Sequence, residues 1–139
     1  MSRTSAREAA MKLLYQYSIT GELTKDSLTD APDALNTESL DKDNLCYIDR
    51  VVDGFADKCE EIDEIISKNS KSWKLERIAK VDLAILRLAL FEILYLDDIP
   101  EKVTINEAVE LAKKYSAEKS YQFVNGLLGG YLRSGGEKQ

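Results

Sequence analysis

The chain has 139 residues, 44% of them hydrophobic and 32% charged, with a formal net charge of −6, the make-up of one globular domain. It has no histidine, and its two cysteines, Cys46 and Cys59, lack CxxC spacing, which argues against a zinc site, a disulfide framework or histidine acid–base chemistry. The acidity is confined to one block: residues 1–20 carry a net +2, residues 21–64 a net −10 and residues 65–139 a net +2, so both ends can still offer an anion-binding face.

Met1–Leu14 lacks the apolar core of a signal peptide, and a reducing cytoplasm is the expected location. Ser5-Ala-Arg-Glu8 fits a capping box, which predicts a first helix with Ser5 as N-cap and Arg3 in a mobile tail. Ala6, Ala9, Ala10, Leu13, Leu14 and Tyr17 share one face of that helix. Met11 and Tyr15 fall on the opposite face, where such a pair suits a partner contact as well as it suits scattered surface hydrophobes. Arg7 lies in the first turn and opposes the helix dipole, a cost that an anionic partner would offset. Gly21–Ser39 is polar and acidic, contains Pro32 and reads as a long loop with room for a short helix.

From Leu40 to about Ser67, Leu45, Ile48, Val51, Val52, Phe55, Ile62, Ile65 and Ile66 recur at helical spacing, with Gly54 tolerated inside. The acids between them read as a solvated face, since no calcium-loop pattern is present. Lys68–Lys74 is a polar connection, and Trp73–Ile78 reads as a helical turn. Val81–Leu96 follows, sixteen residues with only three charges, Asp82, Arg87 and Glu92. These charges fall at roughly 0°, 140° and 280° around a helix, so no side is wholly polar and the helix must be covered on most sides. It is too short and too charged for a membrane span. Arg87 and Glu92 do not face each other, so each calls for a partner on a neighbouring helix.

Asp97–Pro100 stops the central helix. Thr104-Ile-Asn-Glu107 fits a second capping box, with Val103 as a staple against Ala108. Ile105, Ala108, Val109, Leu111, Ala112 and Tyr115 form the stripe of that helix. A last helix from about Ala117 to Leu132 buries Tyr121, Val124, Leu127, Leu128, Tyr131 and Leu132, with Phe123 at the margin. Gly126 and Gly130 lie on its outer flank, and residues 133–139 form a frayed tail. The expected fold is all-α, two small helical bundles around a central buried helix. A single domain spans 1–139, its N-terminal helical part about 1–70 and its C-terminal part about 71–134.

The chemistry of catalysis is missing. There is no GxSxG elbow, no glycine-rich phosphate loop after a strand and no metal-ligand cluster, so neither an enzyme, a cofactor nor a metal is expected. Binding remains. Arg3, Arg7, Lys12, Lys113, Lys114, Lys119 and Phe123 are the candidates for a single-stranded nucleic acid surface, because RNA readout pairs backbone cations with aromatic stacking. Periodicity alone favours Phe123 as an ordinary core ring. A helical protein-interaction module without RNA binding of its own is the alternative.

Four stretches together resemble one family. Residues 7–15 (REAAMKLLY), residues 81–92 (VDLAILRLALFE), residues 99–113 (IPEKVTINEAVELAK) and residues 123–126 (FVNG) resemble, in order, the opening helix, central helix and C-terminal signature of the bacterial transcription antitermination NusB family. The resemblance implies an all-helical fold and a non-catalytic adaptor. It further implies binding to the boxA element of nascent ribosomal RNA together with NusE, a small-subunit ribosomal protein, in a complex that carries RNA polymerase through terminators. In the family an arginine-rich N-terminal segment contacts RNA. Here Arg3 and Arg7 stand at such positions, with Thr4 and Ser5 between them. Lys119 and Phe123 fall in the region implied to touch RNA. Tyr15 and Asp82 match positions implied at the NusE interface, and Met11 beside Tyr15 joins them as a candidate.

Overall fold

A computed structural model describes residues 2–24, 42–70 and 74–134. Among them the helical periodicities resolve into five α-helices: α1 Arg3–Thr20, α2 Lys42–Asn69, α3 Lys80–Tyr95, α4 Glu101–Tyr115 and α5 Ser120–Arg133, with one 3-10 turn at Leu75–Arg77. Most of the predicted loop at Gly21–Ser39, the residue Trp73 and the tail at 135–139 lie outside the described residues.

The central helix α3 is buried from Asp82 to Leu94 without interruption. Its cover comes from all sides: α1 and α2 pack against it, as do α4 and α5, and α1 packs on α2 while α4 packs on α5. The result is the expected all-α arrangement of two helical groups that share α3. Both internal charges of α3 have the partners that their angular positions required. Arg87 forms a two-pronged pair with Asp63 of α2, Nε to Oδ1 at 2.8 Å and Nη2 to Oδ2 at 2.9 Å, and donates to Ser18 of α1 at 3.0 Å. Glu92 accepts from α1, α2 and α4, as described below.

Helix starts depart from the predicted capping boxes. α1 begins at Arg3, and Ser2 is its N-cap, its hydroxyl accepting from the Ser5 amide at 3.1 Å. Arg3 is therefore in the first turn, not in a tail. Pro100 stands at the N-cap of α4, and its carbonyl accepts from Val103 and Thr104 at 3.0 and 3.2 Å. Thr104 lies inside the helix and is buried, while Val103 is 42% exposed. α5 begins at Ser120, later than the expected Ala117. α1 ends at Gly21, whose φ of 79° is the left-handed C-cap conformation that glycine adopts without strain.

Gly54 sits mid-way along α2 because Phe91 of α3 presses on it: a Cβ there would lie 2.3 Å from Phe91 Cζ and 2.6 Å from Cε1. Alanine would gain about 1 kcal/mol of helix propensity. It would also force the buried Phe91 ring aside, at about 1–3 kcal/mol. Gly54→Ala is thus expected to be destabilising by up to about 2 kcal/mol, the overpacking cost less the propensity gain, and chemical denaturation would check the sign.

Candidate nucleic-acid interface

The N-terminal residues divide into buried and exposed cations. Arg7 is only 4% exposed. Its Nε donates to Glu92 Oε2 at 2.8 Å, its Nη2 to Glu92 Oε1 at 3.2 Å and its Nη1 to Glu107 Oε1 at 3.0 Å. Glu92 also accepts from the Tyr47 hydroxyl of α2 and from Thr104 of α4 at 2.8 Å. One carboxylate thus binds α1, α2 and α4 to α3. Burial would lower the Arg7 guanidinium, but the hydrogen bond and charge of Glu92 outweigh it and hold the group above its ordinary value. Burial, reinforced by Glu92, pushes the Tyr47 hydroxyl well above the usual phenol range, so it remains a donor. The anionic partner expected for Arg7 is protein. Arg7 is a correction to the predicted RNA surface, because both faces of its fork are committed to carboxylates.

Arg3 is held differently. Its Nε donates to Asn44 Oδ1 at 2.9 Å, and its guanidinium lies 4.7 Å from the Tyr47 ring centroid. It is half-buried and pinned on α2.

Of the remaining candidate cations, Lys12 on α1 is partly buried and Lys113 and Lys114 on α4 are exposed. Lys12 and Lys114 place their ammonium groups 5.4 and 5.3 Å from the Tyr115 ring centroid, and Lys113 lies 5.1 Å from that of Tyr121. Lys114 Nζ is 2.8 Å from Glu8 Oε1, and the Tyr115 hydroxyl donates to Glu8 Oε2 at 2.7 Å. Thr4, Glu8, Glu107, Glu110, Leu111, Lys113 and Lys114 line an open cavity of about 420 Å³ between the two helices. Lys119 is exposed at the N-cap of α5. Phe123, one turn on, is partly buried and joins Arg77, Ile78, Ala79 and Asp82 around a second cavity of about 320 Å³. Tyr115, Tyr121 and Arg77 were missed in the sequence. Both tyrosines fit a helical stripe and so read as core, although Lys113-Lys114-Tyr115 already sets two cations beside a ring.

Of the predicted partner residues, Tyr15 keeps a half-buried surface, but Met11 is 2% exposed and belongs to the core. The reason is that α1 packs against both α2 and α3, so more than one stripe of it is covered. Asp82 is a second correction, since it is 6% exposed rather than at the surface. It accepts from the Ser116 hydroxyl at 2.6 Å, and Ser116, its one proton so committed, accepts from the Ser120 hydroxyl at 3.0 Å, which ties the start of α3 to the α4–α5 corner.

The NusB family model matches residues 4–133. The chain belongs to the NusB family. Its relatives include the transcription antitermination protein NusB of Clostridium botulinum (strain Kyoto / Type A2), 44% identical over 140 residues that cover 93% of this chain and 98% of the relative. Among solved structures, T. maritima NusB superposes with a TM-score of 0.83 at 34% identity, covering 96% of this chain and 92% of that one. A structure of the antitermination factors NusB and NusE in complex with dsRNA superposes with a TM-score of 0.82 at 30% identity, covering 95% of this chain and 96% of that one. Members of the family are non-catalytic adaptors of transcription antitermination. Among the described residues, no group of three or more His, Cys, Asp or Glu side chains is placed to hold a metal, and no helix is long and apolar enough to cross a membrane.

Proposed function

We propose that this NusB-family chain is an RNA-binding adaptor that works in the cytoplasm, binds the boxA element of ribosomal RNA transcripts together with NusE, and helps RNA polymerase read through terminators. The observation that carries the reading is the interleaving of Lys12, Lys113 and Lys114 with Tyr115 and Tyr121 on a chain whose net acidity lies elsewhere. Cations that follow a backbone beside rings that accept bases are the chemistry of single-strand binding. Lys119 and Phe123 extend that surface on α5. Arg3 contributes from the N-terminal turn. Tyr15 is the residue for the protein partner.

The test is a titration with boxA-type RNA at several salt concentrations, with and without NusE. The expected log–log salt slope is about −0.7 for each phosphate contacted, with tighter binding when the partner is added. Absence of RNA binding under both conditions would overturn the reading in favour of a pure protein-interaction module. Phe123→Ala is expected to weaken RNA binding by about 1–3 kcal/mol, the loss of one stacked base. A folded mutant with unchanged affinity would remove Phe123 from the site.

A further inference from the structure

Glu8 is an acid in the middle of the cationic face. Its side chain is 20% exposed, and both its oxygens are engaged from α4, by Lys114 at 2.8 Å and the Tyr115 hydroxyl at 2.7 Å. Lys12, one helical turn away on α1, holds its ammonium at the same Tyr115 ring that Lys114 covers. One cation and a hydroxyl donor thus bind one two-oxygen anion, and a second cation, Lys12, stands at the same ring without bonding to that anion. That donor set suits a phosphodiester as well as it suits a carboxylate. Burial pushes the Glu8 carboxyl up, but the bonds from Lys114 and Tyr115 and the Lys114 and Lys12 charges outweigh it and hold it below the usual carboxylate range. Glu8 therefore stays charged at neutral pH. The pair is also replaceable, because Lys114 is 60% exposed and exposed ion pairs contribute little net stability.

We propose that Glu8 is a built-in competitor for the RNA backbone: it occupies a phosphate seat made by Lys12, Lys114 and the Tyr115 hydroxyl, and a phosphodiester of single-stranded RNA binds there by displacing it. The proposal rests on the RNA-binding reading above and names one subsite of it. Backbone contacts carry no sequence information. A competitor at such a contact weakens every RNA alike, so only an RNA with base contacts elsewhere on the protein stays bound.

The experiment titrates the full chain and its variants with an unstructured homopolymer, poly-uridylate, and with boxA-type RNA. Glu8→Gln keeps an acceptor for Tyr115 and removes the competing charge. Affinity for both RNAs is expected to rise about tenfold at low salt, and the rise is expected to vanish in Glu8→Gln/Lys114→Gln. Glu8→Asp keeps the charge but withdraws it from the seat, so it too is expected to bind RNA more tightly. A general charge effect would instead leave Glu8→Asp unchanged and let the Glu8→Gln gain persist without Lys114, and either result overturns the proposal. So does unchanged or weaker binding by Glu8→Gln with native circular dichroism. If the wild-type chain and all variants bind neither RNA, with or without NusE, the RNA reading itself falls and this subsite with it. Wild-type binding with no response to position 8 removes the subsite alone.

Discussion

Arg7→Ala is expected to lower the stability of the fold by about 3–5 kcal/mol, the usual cost of leaving one member of a buried ion pair without the other. Glu92 is 1% exposed, so water cannot replace the guanidinium that Arg7 supplies. Tyr47 and Thr104 would still donate to Glu92, but neither neutralises its charge. Glu107 would lose the same cation, at less cost because its side chain is 23% exposed. For a domain of this size the loss corresponds to a fall in melting temperature of roughly 10 °C or more. Thermal and denaturant unfolding followed by circular dichroism would measure it. Adding Glu92→Gln to Arg7→Ala should cost less than the sum of the two single changes, because the second removes the charge that the first stranded.

The same substitution separates two roles for this position. The family resemblance implies an N-terminal arginine that touches RNA, whereas the geometry gives Arg7 to Glu92 and Glu107. An RNA-contacting arginine would leave stability nearly unchanged on removal and would flatten the salt dependence of RNA binding by about 0.7. A buried clamp does the reverse. A loss of under about 1 kcal/mol, within the range of ordinary surface substitutions, would return Arg7 to the RNA surface.

How much of this could be read from the sequence depends on whether a side chain is governed by its own helix or by a neighbour. The central helix was legible because its apolar residues leave no polar side. Partners for Arg87 and Glu92 were legible because their angular positions point to different neighbours. The capping boxes misled for one shared reason. Glu8 is drawn to Lys114 and Tyr115, Thr104 to Glu92, and Glu107 to Arg7 and Thr4. Each had the spacing for a local cap, and each found a stronger tertiary partner more than ten residues away, so α1 and α4 start elsewhere. Met11 failed in the other direction: a one-stripe view of α1 predicts it exposed, but α1 packs against both α2 and α3. Asp82 was assigned to an interface by the family resemblance rather than by periodicity, and it is buried at the start of a helix that is covered on most sides. Tyr115 and Tyr121 show the limit for the candidate site. Their spacing identifies rings on a stripe, and only the packed helices bring lysines from α1 and α4 onto those rings.

Neutralising the cationic strip as Lys12→Gln, Lys113→Gln, Lys114→Gln and Lys119→Gln together is expected to flatten the log–log salt slope of RNA binding by about 2.8, four contacts at about 0.7 each. Affinity at low salt should fall by about a hundredfold to a thousandfold, if each contact is worth roughly 1 kcal/mol. Stability should change little, because Lys113, Lys114 and Lys119 are exposed and Lys12 partly so, and surface substitutions usually stay within about 0.5 kcal/mol. The comparison that gives the result meaning is an equal charge change elsewhere, with Lys42, Lys58, Lys68 and Lys74 replaced by glutamine. Screening confines the influence of an exposed charge to about 8 Å at physiological ionic strength. A localised face therefore predicts that the second set flattens the slope far less than the first. Equal loss from both sets would mean that RNA responds to net charge alone, and α1 and α4 would no longer define an interface. Retained NusE binding by the first set, with its RNA binding gone, would place the two partners on separate surfaces, the lysine strip for RNA and the neighbourhood of Tyr15 for protein.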